Sequence, residues 1–287
     1  MIYTIKNHQI MVSIASFGAE LMSIKDSHGK EYLWQGYEKY WKDRSPVLFP
    51  YIARLTDNKY FLDGKCYSMK IHGFANCSEF SVSYHTNEEI TFCLNSNEDT
   101  YKCYPRVFSF SVTYKLIGSR LEIIYKIINK DDKTMYFGVG GHPGFLLDGD
   151  YNDYYLEFNE KCKPIRVGFN EKCFLNGLDK DFPLINDQIL KLDHKLFDDD
   201  AIVLYNNAKS VSLKNNKTKY KLTVTFNDMK YLGLWHKPNT DAPYICIEPW
   251  SSLPSREGII EKFEEQENLL KLEKGNCYTN SFSIEIE

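Results

Sequence analysis

The sequence lacks the parts that mark several large protein classes. No apolar run among its 287 residues is long enough to span a bilayer as a helix. Its 35 Lys and Arg are interspersed with 39 Asp and Glu, so no basic block offers a nucleic-acid backbone an electrostatic footprint. There is no Cys-x-x-Cys, which argues against a zinc knuckle or a thioredoxin-like redox site. His-Glu-x-x-His, a P-loop, Gly-x-Gly-x-x-Gly and a Gly-x-Ser-x-Gly elbow are all missing. Zincin hydrolysis, phosphoryl transfer from ATP and dinucleotide redox chemistry therefore have no visible parts. Gly (16) and Pro (10) are too few for a collagen-like or low-complexity chain. The opening MIYTIKNHQI has no basic stretch followed by an apolar one, so the chain is expected to be cytoplasmic. On that reading its eight cysteines are reduced, mostly buried thiols. His8, His28, His85, His194 and His236 stand near charged or turn residues and are read as surface groups.

What is abundant is aromatic sequence, with Tyr (21) and Phe (18) bringing aromatics to 15%. That richness favours strands. Phe108, Phe110, Val112, Tyr114 and Leu116 alternate with polar residues, a period of two with one buried face. Gly118-Ser119 then turns the chain into Leu121, Ile123, Tyr125 and Ile127, which completes a hairpin. Asp63-Gly64, between 59–62 and 65–68, suits a type I′ turn. Further strands are expected over 10–15, 79–84, 90–94, 134–139, 154–158, 201–205, 221–226, 244–247 and 282–286. Helical signals are few: a turn within 97–104 and one short helix opening at Ser255-Arg256-Glu257. Without strand–helix alternation, linker or repeat, the reading is all-β: one large antiparallel β-sandwich domain over 1–287.

Four stretches break the alternation and hold polar residues in unusual company. In Phe49-Pro50-Tyr51-Ile52-Ala53-Arg54 the Arg, taken alone, reads as a packed stem pairing with a surface carboxylate. His72, in Ile71-His72-Gly73-Phe74, suggests a ring held where backbone must pass closely. Alone it reads as a hydrogen-bonded core or loop residue. Gly140-Gly141-His142-Pro143-Gly144 cannot continue a regular ladder, so it fixes one imidazole in a tight loop, structural or functional. In Tyr244-Ile245-Cys246-Ile247-Glu248-Pro249-Trp250 a carboxylate closes an apolar strand beside an aromatic. Desolvation there raises its pKa and makes it a better base near neutral pH. Asp198-Asp199-Asp200 is a charge run whose last member could reach a site at the start of strand 201–205. It lacks the alternate spacing and glycine of an EF-hand loop.

These stretches, in this order, resemble the aldose 1-epimerase (galactose mutarotase) family, closest to its short bacterial branch. The resemblance runs from Phe17-Gly18-Ala19-Glu20-Leu21 to Trp235-His236-Lys237-Pro238 and Glu248. It implies a galactose mutarotase-like supersandwich with few short helices, a sugar cleft, and no metal or organic cofactor. It implies His142 as general acid, Glu248 as general base and His72 near the anomeric centre. Arg54 would bind sugar hydroxyls, with Asp200 as the best candidate for a second hydroxyl-binding group. Trp250 is a candidate platform for the sugar's apolar face. Many members carry Asn where Gly141 stands before the histidine, which bears on the substrate more than on the chemistry.

The function so implied is interconversion of α and β anomers of a hexose or related monosaccharide, by a monomer or homodimer. Two alternatives stay open. One is a hexose-6-phosphate 1-epimerase, which needs cations at the sugar's far end and for which Arg44 and Lys42 are the candidates. The other is a non-catalytic carbohydrate-binding or regulatory protein that keeps the cleft.

Overall fold

The computed structural model describes residues 1–287. Two large sheets carry the architecture. One has nine strands in the order Ile189–Lys191, Tyr154–Phe158, Ser210–Asn215, Lys221–Thr225, Cys277–Ile286, Arg120–Asn129, Phe108–Ile117, Glu89–Asn95 and Ser81–His85. The other runs Lys180–Asp181, Ile165–Arg166, Ile202–Tyr205, Tyr231–Trp235, Tyr244–Trp250, Gly140–Gly141 and Val47–Leu48, with Gly144–Leu146 also paired to Tyr244–Trp250. Ile2–Lys6, Ile10–Ala15 and Leu21–Asp26 form a third, smaller sheet. Neighbouring strands pair antiparallel, as the expected fold requires.

The period-two stretches behave as their patterns dictate. Phe108–Ile117 alternates buried and wetter positions and turns through Gly118 (φ +61°) into Arg120–Asn129, with Arg120 opposite Ile117. Asp63 (φ +51°) and Gly64 (φ +72°) make the expected left-handed two-residue turn. The last strand begins at Cys277 rather than 282, because its partner Arg120–Asn129 extends the pairing to Ile128. The strand expected over 134–139 contracts to Met135–Phe137. A short helix, Glu98–Cys103, is capped by Asn97, whose side chain accepts from the Asp99 and Thr100 amides.

Several expectations are corrected. No helix follows Ser255. Gly258 adopts φ +69°, and the segment runs on alongside Phe61. The Phe61 amide donates to the Glu261 carbonyl at 2.8 Å, and the Phe263 amide donates to the Phe61 carbonyl at 3.0 Å. The Glu261 side chain clasps Arg256 instead of pointing from a helix. All eight cysteines are free, but Cys246 alone is buried. Cys66, Cys77 and Cys277 are exposed because they sit on a two-stranded hairpin, a turn and the opening residue of a strand. His236 is buried, not on the surface: its Nδ1 bonds the Lys237 carbonyl at 2.7 Å and its Nε2 lies 3.2 Å from His194 Nδ1. The turn His194–Phe197 and the Tyr151 ring cover it. No helix is long and apolar enough to cross a membrane.

The two large sheets share one core. Ile202, Leu204, Leu232, Leu234, Ile245 and Ile247 face Phe110, Val112, Tyr125, Phe282 and Ile284 of the nine-stranded sheet within a continuous apolar cluster. By strict alternation, the other face of Tyr244–Trp250 presents Tyr244, Cys246, Glu248 and Trp250, which pack in separate clusters outside that core or line the cavity described next. All seven residues of the strand are buried, so it is covered on both faces.

Candidate active site

Directly opposed residues of antiparallel strands share a face. Val203 opposes Gly233, and Gly233 opposes Glu248, so the three form a row across the eight-stranded sheet on its outer face. Gly233 keeps the row open. A Cβ there would come within 3.2 Å of Glu248 Cβ and 3.3 Å of the Trp250 ring. Above the row lies a cavity of about 320 Å³ lined by Arg54, His72, His142, Asp200, Glu248 and Trp250, among others. All six site residues expected from the sequence therefore meet in one place. Trp34 is fully buried behind the wall, whereas Trp41, Trp235 and Trp250 line it.

His142 enters between two short paired segments. The chain pairs with both neighbours at Gly140 and with Val47 at Gly141, leaves the regular ladder at His142-Pro143 with single backbone bonds to Pro46 and Ile247, and pairs again at Gly144 opposite Cys246. The ladder is thus interrupted for two residues rather than ended. The glycines are needed for space: a Cβ on Gly141 would meet the Phe282 ring at 2.7 Å, and one on Gly144 the Trp41 ring at 3.0 Å. The imidazole is held by Trp41, 4.8 Å away and tilted by 32°, and by the edge of Trp235 at 5.6 Å. Its Nε2 lies 3.3 Å from Glu248 Oε2. The Glu248 side chain is 1% exposed and that of His142 12%.

Burial governs the charge of this pair. It pushes the Glu248 carboxyl well above the usual carboxylate range; the Trp250 indole opposes the shift and the charge of Asp200 adds to it. It pushes His142 well below the usual imidazole range, and the neighbouring His72 lowers it further. Glu248 Oε2, His142 Nδ1 and Trp250 Nε1 are buried without a hydrogen-bond partner, and the indole, although beside the carboxylate, lies outside hydrogen-bonding geometry. Buried polar atoms are rarely left so, and a polar ligand in the cavity would satisfy those that face it.

His72 is fixed by backbone. It adopts φ +64°, its amide donates to the Ala53 carbonyl at 3.0 Å, and its Nδ1 accepts from the Ala53 amide at 3.2 Å. That acceptance places the ring hydrogen on Nε2, so a neutral His72 carries one donor nitrogen that the backbone does not use. Gly73, at φ +78°, lets the Phe49–Pro50 backbone pass where a Cβ would stand 2.3 Å from the Phe49 oxygen. Burial lowers His72 to about 4, helped by the positive charge of Arg54. Above pH 6.5 neither the folded nor the unfolded chain holds the extra proton. Between 6.5 and about 4 the unfolded chain alone takes it, so stability falls as pH falls through that window. The full loss is about 3 kcal/mol at about 1.4 kcal/mol per pH unit. Urea midpoints at pH 7 and pH 4.5 check this, and His72→Gln should reduce the difference, leaving the part that His142 contributes in the same direction.

Arg54 does not pair with a surface carboxylate: its Nη1 donates to the Lys172 carbonyl at 2.9 Å. Asp200, at φ +71°, accepts from Trp235 Nε1 at 2.7 Å and from the Cys173 thiol at 3.0 Å. Asp198 and Asp199 are exposed and lie outside this cavity, so Asp200 is the member of the run that reaches it. Arg44 is spent on the Met22 carbonyl and Gln35, and neither it nor Lys42 lines the cavity. Sequence reading missed Trp235, Phe169 and Cys173 as cavity residues. Trp235 had a signal, an aromatic closing an apolar strand; Phe169 and Cys173 lie in a loop that only the fold brings here. The donor set nearest to a metal site is His142, Cys246 and Glu248, whose ligand atoms lie within 4.8 Å of one another. Burial, and then Glu248, push the Cys246 thiol well above its ordinary pKa, which holds it in the protonated form that binds metals poorly.

Comparison with known proteins gives the family and the fold. The sequence model described as Aldose 1-epimerase matches residues 1–269. Protein LacX of Lactococcus lactis subsp. lactis, in its plasmid and chromosomal forms, is 33% identical over 304 residues, covering 100% of this chain and 99% of LacX. A galactose mutarotase related enzyme from Lactobacillus acidophilus superposes with TM-score 0.95 at 35% identity, covering 100% of this chain and 97% of that one. A galactose mutarotase-like protein from Lactobacillus casei ATCC 334 gives 0.94 at 30% identity, with 100% of both chains covered. The chain belongs to the aldose 1-epimerase family.

Proposed function

We propose that this protein, acting as a single domain over 1–287, is a mutarotase that interconverts the α and β anomers of a free hexose or related sugar. The observation that carries the reading is the buried His142–Glu248 pair, 3.3 Å apart in a cavity of monosaccharide size. Anomer exchange needs the ring to open and close at the anomeric carbon. Glu248 takes the proton from the anomeric hydroxyl while His142 protonates the ring oxygen. The two oxygens share one carbon, so an acid and a base this close together can serve both. The aldehyde then turns, and the same groups return the protons to close the ring on its other face.

Ring opening leaves the proton on Glu248 and a neutral imidazole. Burial favours that neutral form of the pair, so the open-chain state is reached without stranding charge in the cavity. Neutral His72 offers a donor beside them without competing for the proton. Arg54 and Asp200 bind hydroxyls, and Trp250 packs on the apolar face of the ring. Arg54 is the one permanent cation on the wall, which favours a neutral sugar over a sugar phosphate.

Polarimetry of freshly dissolved α-glucose and α-galactose, with exchange NMR over a wider sugar panel, tests the reading. Acceleration over the spontaneous rate is expected with at least one sugar, and none across the panel would overturn it. Arg54→Met and Asp200→Asn should each raise KM about tenfold or more with a smaller change in kcat, since each removes a charged hydrogen bond to substrate.

A further inference from the structure

One loop fastens two walls of the cavity. In the turn 170–174, Asn170 Oδ1 accepts from the Lys172 and Phe174 amides at 2.9 and 3.0 Å, and the Cys173 amide donates to the Asn170 carbonyl at 2.9 Å. These bonds hold Cys173 at φ +61°. From this one turn, the Lys172 carbonyl accepts from Arg54 and the Cys173 thiol donates to Asp200 Oδ2. The same cavity holds the buried, unpartnered Glu248 Oε2 and Trp250 Nε1, so it is built to take polar atoms from a ligand.

The chemistry of the donors matters. Both groups that bond Asp200, the Trp235 indole and the Cys173 thiol, are neutral. They fix the carboxylate's orientation and leave its negative charge and remaining lone pairs available. A cation in either position would have neutralised it. Burial and the Asp200 charge push the Cys173 pKa up to about 12, so the sulfur stays protonated and serves as a donor rather than a nucleophile.

We propose that Cys173 is a positioning residue that sets sugar specificity: its thiol aims the Asp200 carboxylate at one hydroxyl of the substrate, and the 170–174 turn keeps Asp200 and Arg54 in register across the cavity. This rests on the reading of Asp200 as a hydroxyl-binding group. Residues of the turn touch no reacting atom, so their effect appears in recognition rather than in proton transfer.

The test compares wild type, Cys173→Ala and Cys173→Ser on a parent sugar and its monodeoxy analogues, by exchange NMR and by calorimetric affinity. Wild type should lose about tenfold at the one deoxy position that Asp200 reads. In Cys173→Ala, KM should rise about fivefold with kcat little changed, the worth of one net hydrogen bond, and the penalty at that deoxy position should shrink towards none while the other positions keep theirs. Cys173→Ser, which keeps a donor, should restore most of the wild-type profile. An unchanged KM and deoxy profile in Cys173→Ala would overturn the proposal. So would an equal loss at every position accompanied by a fall in kcat, the mark of a structural role. If wild type binds sugar but exchanges no anomers, the mutarotase reading fails, and the affinities for the deoxy series still decide the role of Cys173. Absence of sugar binding overturns both.

Discussion

Glu248→Gln should lower anomer exchange by about 10²–10⁴-fold, the usual worth of a positioned acid–base group, with the fold intact. The substitution is isosteric and removes a titratable group whose carboxyl burial already disfavours as an anion. Thermal midpoints should therefore stay level or rise, and sugar affinity should change little. His142→Gln should cost a comparable factor. The double variant should be scarcely worse than either single one, because the two side chains pass one proton between them and act as a unit. The pH profile follows from the same geometry. Activity falls when the pair gains a second proton, which the depressed His142 resists on the acid side. It falls again when the pair loses its last proton, which the raised Glu248 resists on the alkaline side. The profile should therefore be a plateau with one proton on the pair, bounded by a fall on each side. Exchange NMR across pH, with circular dichroism as the fold control, checks all of this; wild-type turnover in Glu248→Gln would remove it from the base role.

Gly73→Ala is expected to be among the most destabilising single-methyl additions. A Cβ there would stand 2.3 Å from the Phe49 oxygen, 2.6 Å from its carbon and 2.7 Å from the Pro50 nitrogen. All three are backbone atoms of a segment buried in the core, with little freedom to retreat. The residue also needs φ +78°, which costs a non-glycine residue about 1–2 kcal/mol before any overlap. A total of about 3 kcal/mol or more follows, or roughly 6–12 °C in melting temperature. Turnover should fall as well, because the displaced backbone runs on into Ala53 and Arg54 and holds the His72 ring. Gly64→Ala is the control. Its φ is +72° but nothing lies within 4 Å of a Cβ, so it should cost the backbone term alone. Equal melting temperatures for the two variants would refute the close-approach account.

Legibility of the sequence divides along a physical line. Where one face of a strand is wet, as in Phe108–Ile117, alternation survives in the residue types and the hairpin can be read with its turn. In Tyr244–Trp250 both faces are covered, so alternation disappears from the composition and the strand reads three residues short. Its two faces differ only in what they pack against. The candidate site was legible where local chemistry is odd: His before Gly, His between Gly and Pro, Glu closing an apolar strand. Cys173 and Phe169 had no such signature, since a loop joins a cavity by tertiary placement alone. His236 misleads for a related reason. Polar neighbours in sequence say little once the turn that begins at His194, 42 residues away, folds over the ring.

The wall of indoles around His142 also makes the molecule its own reporter. Trp41, Trp235 and Trp250 line the cavity, and the fourth tryptophan, Trp34, donates its N–H to the Trp41 carbonyl at 2.8 Å. No tryptophan belongs to the nine-stranded sheet. Emission excited selectively at tryptophan therefore watches the cavity and its own sheet, with no reporter in the nine-stranded sheet. A fluorescence melt and a backbone melt need not coincide, and the gap between them measures how far the pocket can loosen before the sandwich comes apart.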